Sequence, residues 1–173
     1  MPNTEIPITD TKKASAYKEL LNKASSNNFE PLIPCYLNEN LDLEDFRKGM
    51  QNKVFFGSKL YPSNATTNSS HGVSDISKIF KFLEILEEEK SPLLIHGEKV
   101  AENIDIFDRE KYFIDDELSI IRKKFPLLKI TLEHVSTSYG VNYVKENKNI
   151  AGTITPHHML LTCLLYTSDA ADD

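Results

Sequence analysis

Five short strand-like runs recur along the chain: "PLIPCYL" (31–37), "VFFGSKL" (54–60), "PLLIH" (92–96), "KITLEH" (129–134) and "AGTITPHH" (151–158). Their cores are hydrophobic at consecutive positions rather than at every second one, which suits strands covered on both faces. Amphipathic stretches with helix signals separate most of them. Asp10 precedes "TKKASAYKELLNKAS", where Ala14, Tyr17, Leu20 and Leu21 fall at helical spacing, and Asp42 precedes "LEDFRKGMQ" (43–51). Ser74 is positioned to cap "DISKIFKFLEILEEEK", whose Ile76, Ile79, Phe80, Phe82, Leu83 and Leu86 make a wide apolar face. Two more helices are predicted in "REKYFIDDELSIIRKKF" (109–125) and "SYGVNYVKEN" (138–147). Strands alternating with helices predict an α/β fold with a parallel sheet. Five strands fit an open doubly wound sheet or part of a (β/α)8 barrel. A whole barrel takes about 250 residues, so a chain of 173 would be a portion of one.

Composition removes several function classes. A formal net charge of -6 with interspersed signs leaves no basic footprint for nucleic acid. No apolar run reaches the roughly 18–20 residues of a membrane span, and "MPNTEIPITD" has neither part of a signal peptide. The two cysteines, Cys35 and Cys163, have no CxxC spacing, so a reduced, cytoplasmic setting is expected. Phosphate-cradling patterns (GxGxxG, GxxxxGK[ST]) are absent. The tail "CLLYTSDAADD" (163–173) resembles the in-frame translation of a sequencing-library adapter, so residues 1–162 are taken as the folded domain.

The chemistry-bearing residues stand at strand ends. Lys59 closes "VFFGSK", His96 closes "PLLIH" and His134 closes "KITLEH", at intervals of 37 and 38 residues. In a parallel barrel the carboxyl ends of the strands converge on one mouth, so three successive strands would deliver a lysine and two imidazoles to one place. Imidazole suits zinc. Each residue alone also admits a structural role, a hydrogen-bonded histidine or a snorkelling lysine; the shared register sets the three apart. Glu98 and Glu133 could ligate or could orient an imidazole. Of His157 and His158, at the last strand end, at least one is expected to face the mouth. Ser69 and His71 are loop neighbours and do not form a catalytic triad.

Beyond these spacings, "KLYPSNATTNSSHGV", "LLIHGE", "IDIFDRE", "LEHVST" and "TITPHH", with "MPN" and "CYL", resemble the dihydroorotase family in its single-function class, over residues 1–162. The resemblance implies a (β/α)8 barrel of the amidohydrolase superfamily with two zinc ions at its mouth. It implies that Lys59 is carbamylated and bridges the metals, that His96 and His134 ligate the second one, that Asn3 binds the substrate carboxylate, and that Thr66 and Thr67 sit on a loop closing over substrate. The implied reaction interconverts N-carbamoyl-L-aspartate and L-dihydroorotate in pyrimidine synthesis, with a homodimer as the common assembly. The family's first-strand HxH motif, the arginine beyond it and the strand-eight acid/base aspartate have no counterpart in the sequence. The chain is therefore expected to hold strands three to seven of eight, and to be inactive and aggregation-prone by itself. A hydantoinase- or allantoinase-like cyclic amidase is the alternative enzyme, and a non-catalytic binding module the alternative outside enzymes.

Overall fold

The computed structural model describes residues 4, 6–25, 28–65, 69 and 71–160. The expectations placed on Asn3, Thr66, Thr67 and residues 163–173 lie outside the described residues.

Among the described residues five parallel strands form one sheet in the order of the sequence: β1 (Cys35–Leu37), β2 (Ser58–Leu60), β3 (Leu93–His96), β4 (Ile130–Glu133) and β5 (Ile150–Gly152). Sequential parallel order with a helix in the crossovers is the winding of a barrel rather than of a sheet that reverses direction. The strands are shorter than the apolar runs because proline and loop geometry trim them. β1 begins only after Pro34, which has no N–H for the ladder, although Phe56 N–H still donates to the Ile33 carbonyl at 2.9 Å.

Helix α1 (Thr11–Ala24) is capped by Asp10, which accepts from Lys13 N–H, and α2 (Leu43–Gln51) by Asp42, which accepts from Asp45 N–H. The third helix starts differently from the expectation. Asp75, not Ser74, accepts from Ser77 N–H, and a 3₁₀ turn (Ile76–Ile79) leads into α3 (Phe80–Glu88). Ser74 is instead held by the Glu39 carboxylate through both its N–H and its hydroxyl. The long helix is α4 (Arg109–Phe113), a π turn (Ile114–Leu118) and α5 (Ser119–Lys124) in series. Helix α6 (Ser138–Glu146) starts at the Thr137 cap, and α7 (Pro156–Leu160) takes up the residues expected to end the last strand.

Strand residues alternate between two faces. Cys35, Leu37, Leu60, Leu93, Ile95, Ile130 and Leu132 join the core with Phe46, Phe82, Leu86, Phe113, Leu118 and Ile121 from the helices. Phe46 meets Phe82 edge-on at 5.1 Å between ring centroids. Register places Tyr36, Lys59, Leu94, Thr131 and Ala151 in one row across all five strands, on the opposite face. That face is the inside of the barrel, and it carries the polar chemistry.

Candidate metal centre at the strand ends

The second layer on the inner face is where the histidines stand. His96 ends β3, in register with Glu133 of β4, and His134 follows Glu133 directly. His134 would point away from its neighbour's side in a continued strand. Instead the backbone turns there with φ 46°, and the imidazole swings toward His96. Nδ1 of His96 lies 2.9 Å from Nε2 of His134, with ring centroids 4.6 Å apart. Burial, helped by His134 and Lys59 nearby, pushes the His96 pKa down to about 3. Burial also lowers that of His134, again with Lys59 contributing. Both rings are thus held in the neutral form that binds metals.

Lys59 enters the same space from β2 and is only 3% exposed. Its ammonium pairs with the Glu133 carboxylate and lies 4.7 Å from the centroid of the Tyr61 ring. Burial draws its pKa below the ordinary lysine value, and the Glu133 carboxylate opposes that shift. Tyr61 stacks on Tyr36 at 5.4 Å and faces His96 at 5.8 Å, so two aromatic rings wall one side of the site. Among the described residues the buried Tyr36 hydroxyl has no hydrogen-bond partner.

The donor set fits a metal on two observations. Two nitrogens bound to one tetrahedral zinc at about 2.0–2.1 Å stand roughly 3.3 Å apart, and the facing imidazole nitrogens at 2.9 Å need little movement to reach that spacing. The other nitrogen of His96, Nε2, is buried and has no hydrogen-bond partner among the described residues, with Glu98 Oε1 at 3.6 Å, beyond hydrogen-bond reach. Burial raises the Glu98 carboxyl above its usual range. That arrangement suits a proton on Nε2 directed at Glu98 while Nδ1 is free to ligate. Among the described residues no three His, Cys, Asp or Glu side chains are grouped to hold a metal on their own; the groups that meet here are the two imidazoles and Lys59.

The structure brings Lys59, His96 and His134 together as the strand-end spacing implied. Glu133 is the partner of Lys59, a role that spacing did not single out. His157 and His158 stand in the first turn of α7 instead of at a strand end, and both are followed by exposed Met159 and Leu160. Pro156 explains the change, since its fixed φ is pre-organised for a helix start. A cavity of about 750 Å³ lies at the other end of the sheet, among Phe56, Pro92 and Ala151 and the lysines Lys18, Lys53, Lys90 and Lys129, and none of the three site residues lines it.

A sequential parallel sheet with a histidine pair and a buried lysine at its carboxyl ends has the layout of part of a (β/α)8 barrel with a candidate site at its mouth. No protein-family model matches the chain. The fold is shared with L-hydantoinase from Arthrobacter aurescens at a TM-score of 0.68 with 17% identity, covering 91% of this chain and 39% of that one. The likeness to dihydroorotases is stronger. Dihydroorotase from Buchnera aphidicola of Schizaphis graminum is 47% identical over 165 residues, which is 93% of this chain and 47% of that protein. The crystal structure of Saccharomyces cerevisiae dihydroorotase with 5-fluoroorotic acid superimposes with a TM-score of 0.85 at 31% identity, over 93% of this chain and 48% of that one. The chain is a relative of the dihydroorotases, and it spans about half the length of the curated relatives it matches.

Proposed function

We propose that this chain supplies the lysine and histidine half of a dihydroorotase active site, working on N-carbamoyl-L-aspartate and L-dihydroorotate in cytoplasmic pyrimidine synthesis as part of a dimeric enzyme. The observation that carries the reading is the meeting of Lys59, His96 and His134 on the inner face of a sheet whose sequence is 47% identical to a dihydroorotase.

In this reading His96 and His134 would hold zinc, and Lys59, as a carbamate, would join them as a ligand. A lysine shifted toward its neutral amine can form an N–C bond to carbon dioxide and release one amine proton to water, and the resulting carbamate anion has two oxygens where the ammonium has none. When bound, the zinc pair would supply Lewis-acid polarisation of the ring carbonyl and acidify water. The chain's own residues supply position and exclusion. Tyr61 and Tyr36 keep solvent from one side of Lys59. Glu133 neutralises Lys59 before it is modified, and Glu98, 3.6 Å from Nε2 of His96, would orient that ring only after closing to hydrogen-bond distance. Asn3 would bind the substrate carboxylate, and Thr66 and Thr67 would offer hydroxyls from the loop between β2 and α3.

The test is a chimera in which residues 1–162 replace the matching half of the Buchnera aphidicola protein. The chimera is expected to contain zinc and to hydrolyse L-dihydroorotate, and its Lys59→Ala variant to lose both properties. A folded, metal-loaded chimera that opens hydantoins but not dihydroorotate would move the assignment to the cyclic amidases. A folded chimera without metal would favour a binding module.

A further inference from the structure

The turn at His134 is held from two directions. Toward β5, its N–H donates to Thr153 Oγ1 at 2.9 Å, and Val135 N–H donates to the Thr153 carbonyl at 2.8 Å. On the other side stands Glu110 of α4, a carboxylate only 6% exposed. Its Oε2 accepts from Ser136 N–H at 2.9 Å and from the Ser136 hydroxyl at 3.3 Å. Its Oε1 accepts from Thr137 N–H at 3.1 Å and from the Thr137 hydroxyl. Thr137 Oγ1 in turn accepts from Gly140 N–H at 3.0 Å, closing the first turn of α6. Gly140 allows this approach: a Cβ there would collide with Glu110 Oε1 and come within 2.8 Å of Val135 Cγ1.

A charge taken out of water is kept only where its lone pairs are satisfied, and here four donors from two consecutive residues satisfy it. A histidine in the left-handed region persists only where its surroundings hold it. The residue before Glu110 completes the picture. The Arg109 carbonyl accepts from Lys99 N–H at 3.1 Å, in the segment that leaves His96. The start of α4 therefore ties the exit of β3 to the exit of β4.

We propose that Glu110 is a positioning residue for His134: by fixing Ser136 and Thr137 to α4, its buried carboxylate sets the turn from which the imidazole is aimed at His96. Glu110 touches neither the imidazole nor the metal position, and acts through the 135–137 segment. This deepens the reading of His134 as a metal ligand and rests on it.

The experiment uses the chimera loaded with cobalt(II), whose visible absorption reports ligand geometry. Glu110→Gln puts an amide N–H₂ against N–H donors. It is expected to weaken cobalt binding by about 10–100-fold, the usual effect of removing a group that supports a ligand, and to change the visible bands. Thr137→Val, which removes one donor, is expected to shift both readouts in the same direction, and Thr137→Ser to restore them. In turnover kcat should fall with KM little changed. Folded Glu110→Gln and Thr137→Val variants that bind cobalt with the parent's affinity and spectrum would overturn the proposal. If Glu110→Gln does not fold, the two Thr137 variants decide on the same readouts. An unsubstituted chimera that takes up no cobalt would sink the metal reading itself, and this inference with it.

Discussion

Nδ1 of His96 and Nε2 of His134 meet at 2.9 Å although 38 residues separate them in the chain. Parallel register puts His96 beside Glu133, and the left-handed turn at His134 then rotates the following ring into the same space. Removal of either ring should cost metal binding more than the roughly 10–100-fold lost when a supporting hydrogen bond goes. Competition of His96→Ala and His134→Ala chimeras against a chromophoric chelator measures this; parental affinity in either variant would exclude that ring as a ligand.

Lys59 is expected to take up carbon dioxide. Supplied with carbon-13 bicarbonate and zinc, the chimera should give a carbamate carbonyl resonance that is lost in Lys59→Arg, whose guanidinium cannot form one. A resonance that survives the substitution would place the modification elsewhere.

The Glu39 carboxylate joins the exit of β1 to the start of the third helix through Ser74 and Lys78, and those hydrogen bonds hold its pKa down to about 2 from an ordinary 4.5. The unfolded chain binds this proton first, so the stabilisation is present above about pH 4.5 and is lost as pH falls toward 2. The acid limb of a stability curve should therefore be shallower in Glu39→Gln than in the parent between those values. Parallel limbs would show that the Glu39 contacts do not persist in solution.

The Arg122 guanidinium donates to the carbonyls of Leu128 at 2.8 Å, Pro126 at 3.0 Å and Lys148 at 2.8 Å, joining α5 to the entries of β4 and β5. Arg122→Ala leaves these acceptors to water and is expected to lower stability by about 1–3 kcal/mol. Denaturant unfolding of the chimera reads the change, and Arg122→Lys should recover only part of it because an ammonium cannot span the three acceptors as a fork does.

Cys35 is fully buried in β1, and burial pushes its thiol well above the ordinary range. In the chimera, which lacks Cys163, it should resist iodoacetamide until the protein is unfolded. Rapid labelling under native conditions would mean that the edge of β1 opens readily.

Much of the site was legible because strand ends in a parallel sheet are predictable places. Continuous apolar runs closed by Lys59, His96 and His134 needed only the alternation with helices to converge. Other features lay outside that logic. The sequence around Pro156 read as a strand end because "GTIT" is β-prone, but the proline starts a helix there instead. Glu110 carries no sequence signal, because one glutamate in "DREKY" looks like any solvated helix residue; its burial exists only once α6 packs against it. Glu133 and Lys59 likewise lie 74 residues apart, and only the inward face of a curved sheet brings them together. The cap of the third helix slipped from Ser74 to Asp75 because Glu39, far away in sequence, claimed the serine.

The central claim is that these imidazoles and Lys59 share a metal site. Anomalous scattering at the zinc absorption edge, from crystals of the zinc-loaded chimera, tests it most directly. The account predicts a zinc peak at about 2.0–2.1 Å from both His96 Nδ1 and His134 Nε2, with Lys59 reaching toward it as a carbamate and no longer paired with Glu133. Zinc located elsewhere, with the two imidazoles still hydrogen-bonded to each other and Lys59 still bound to Glu133, would contradict it.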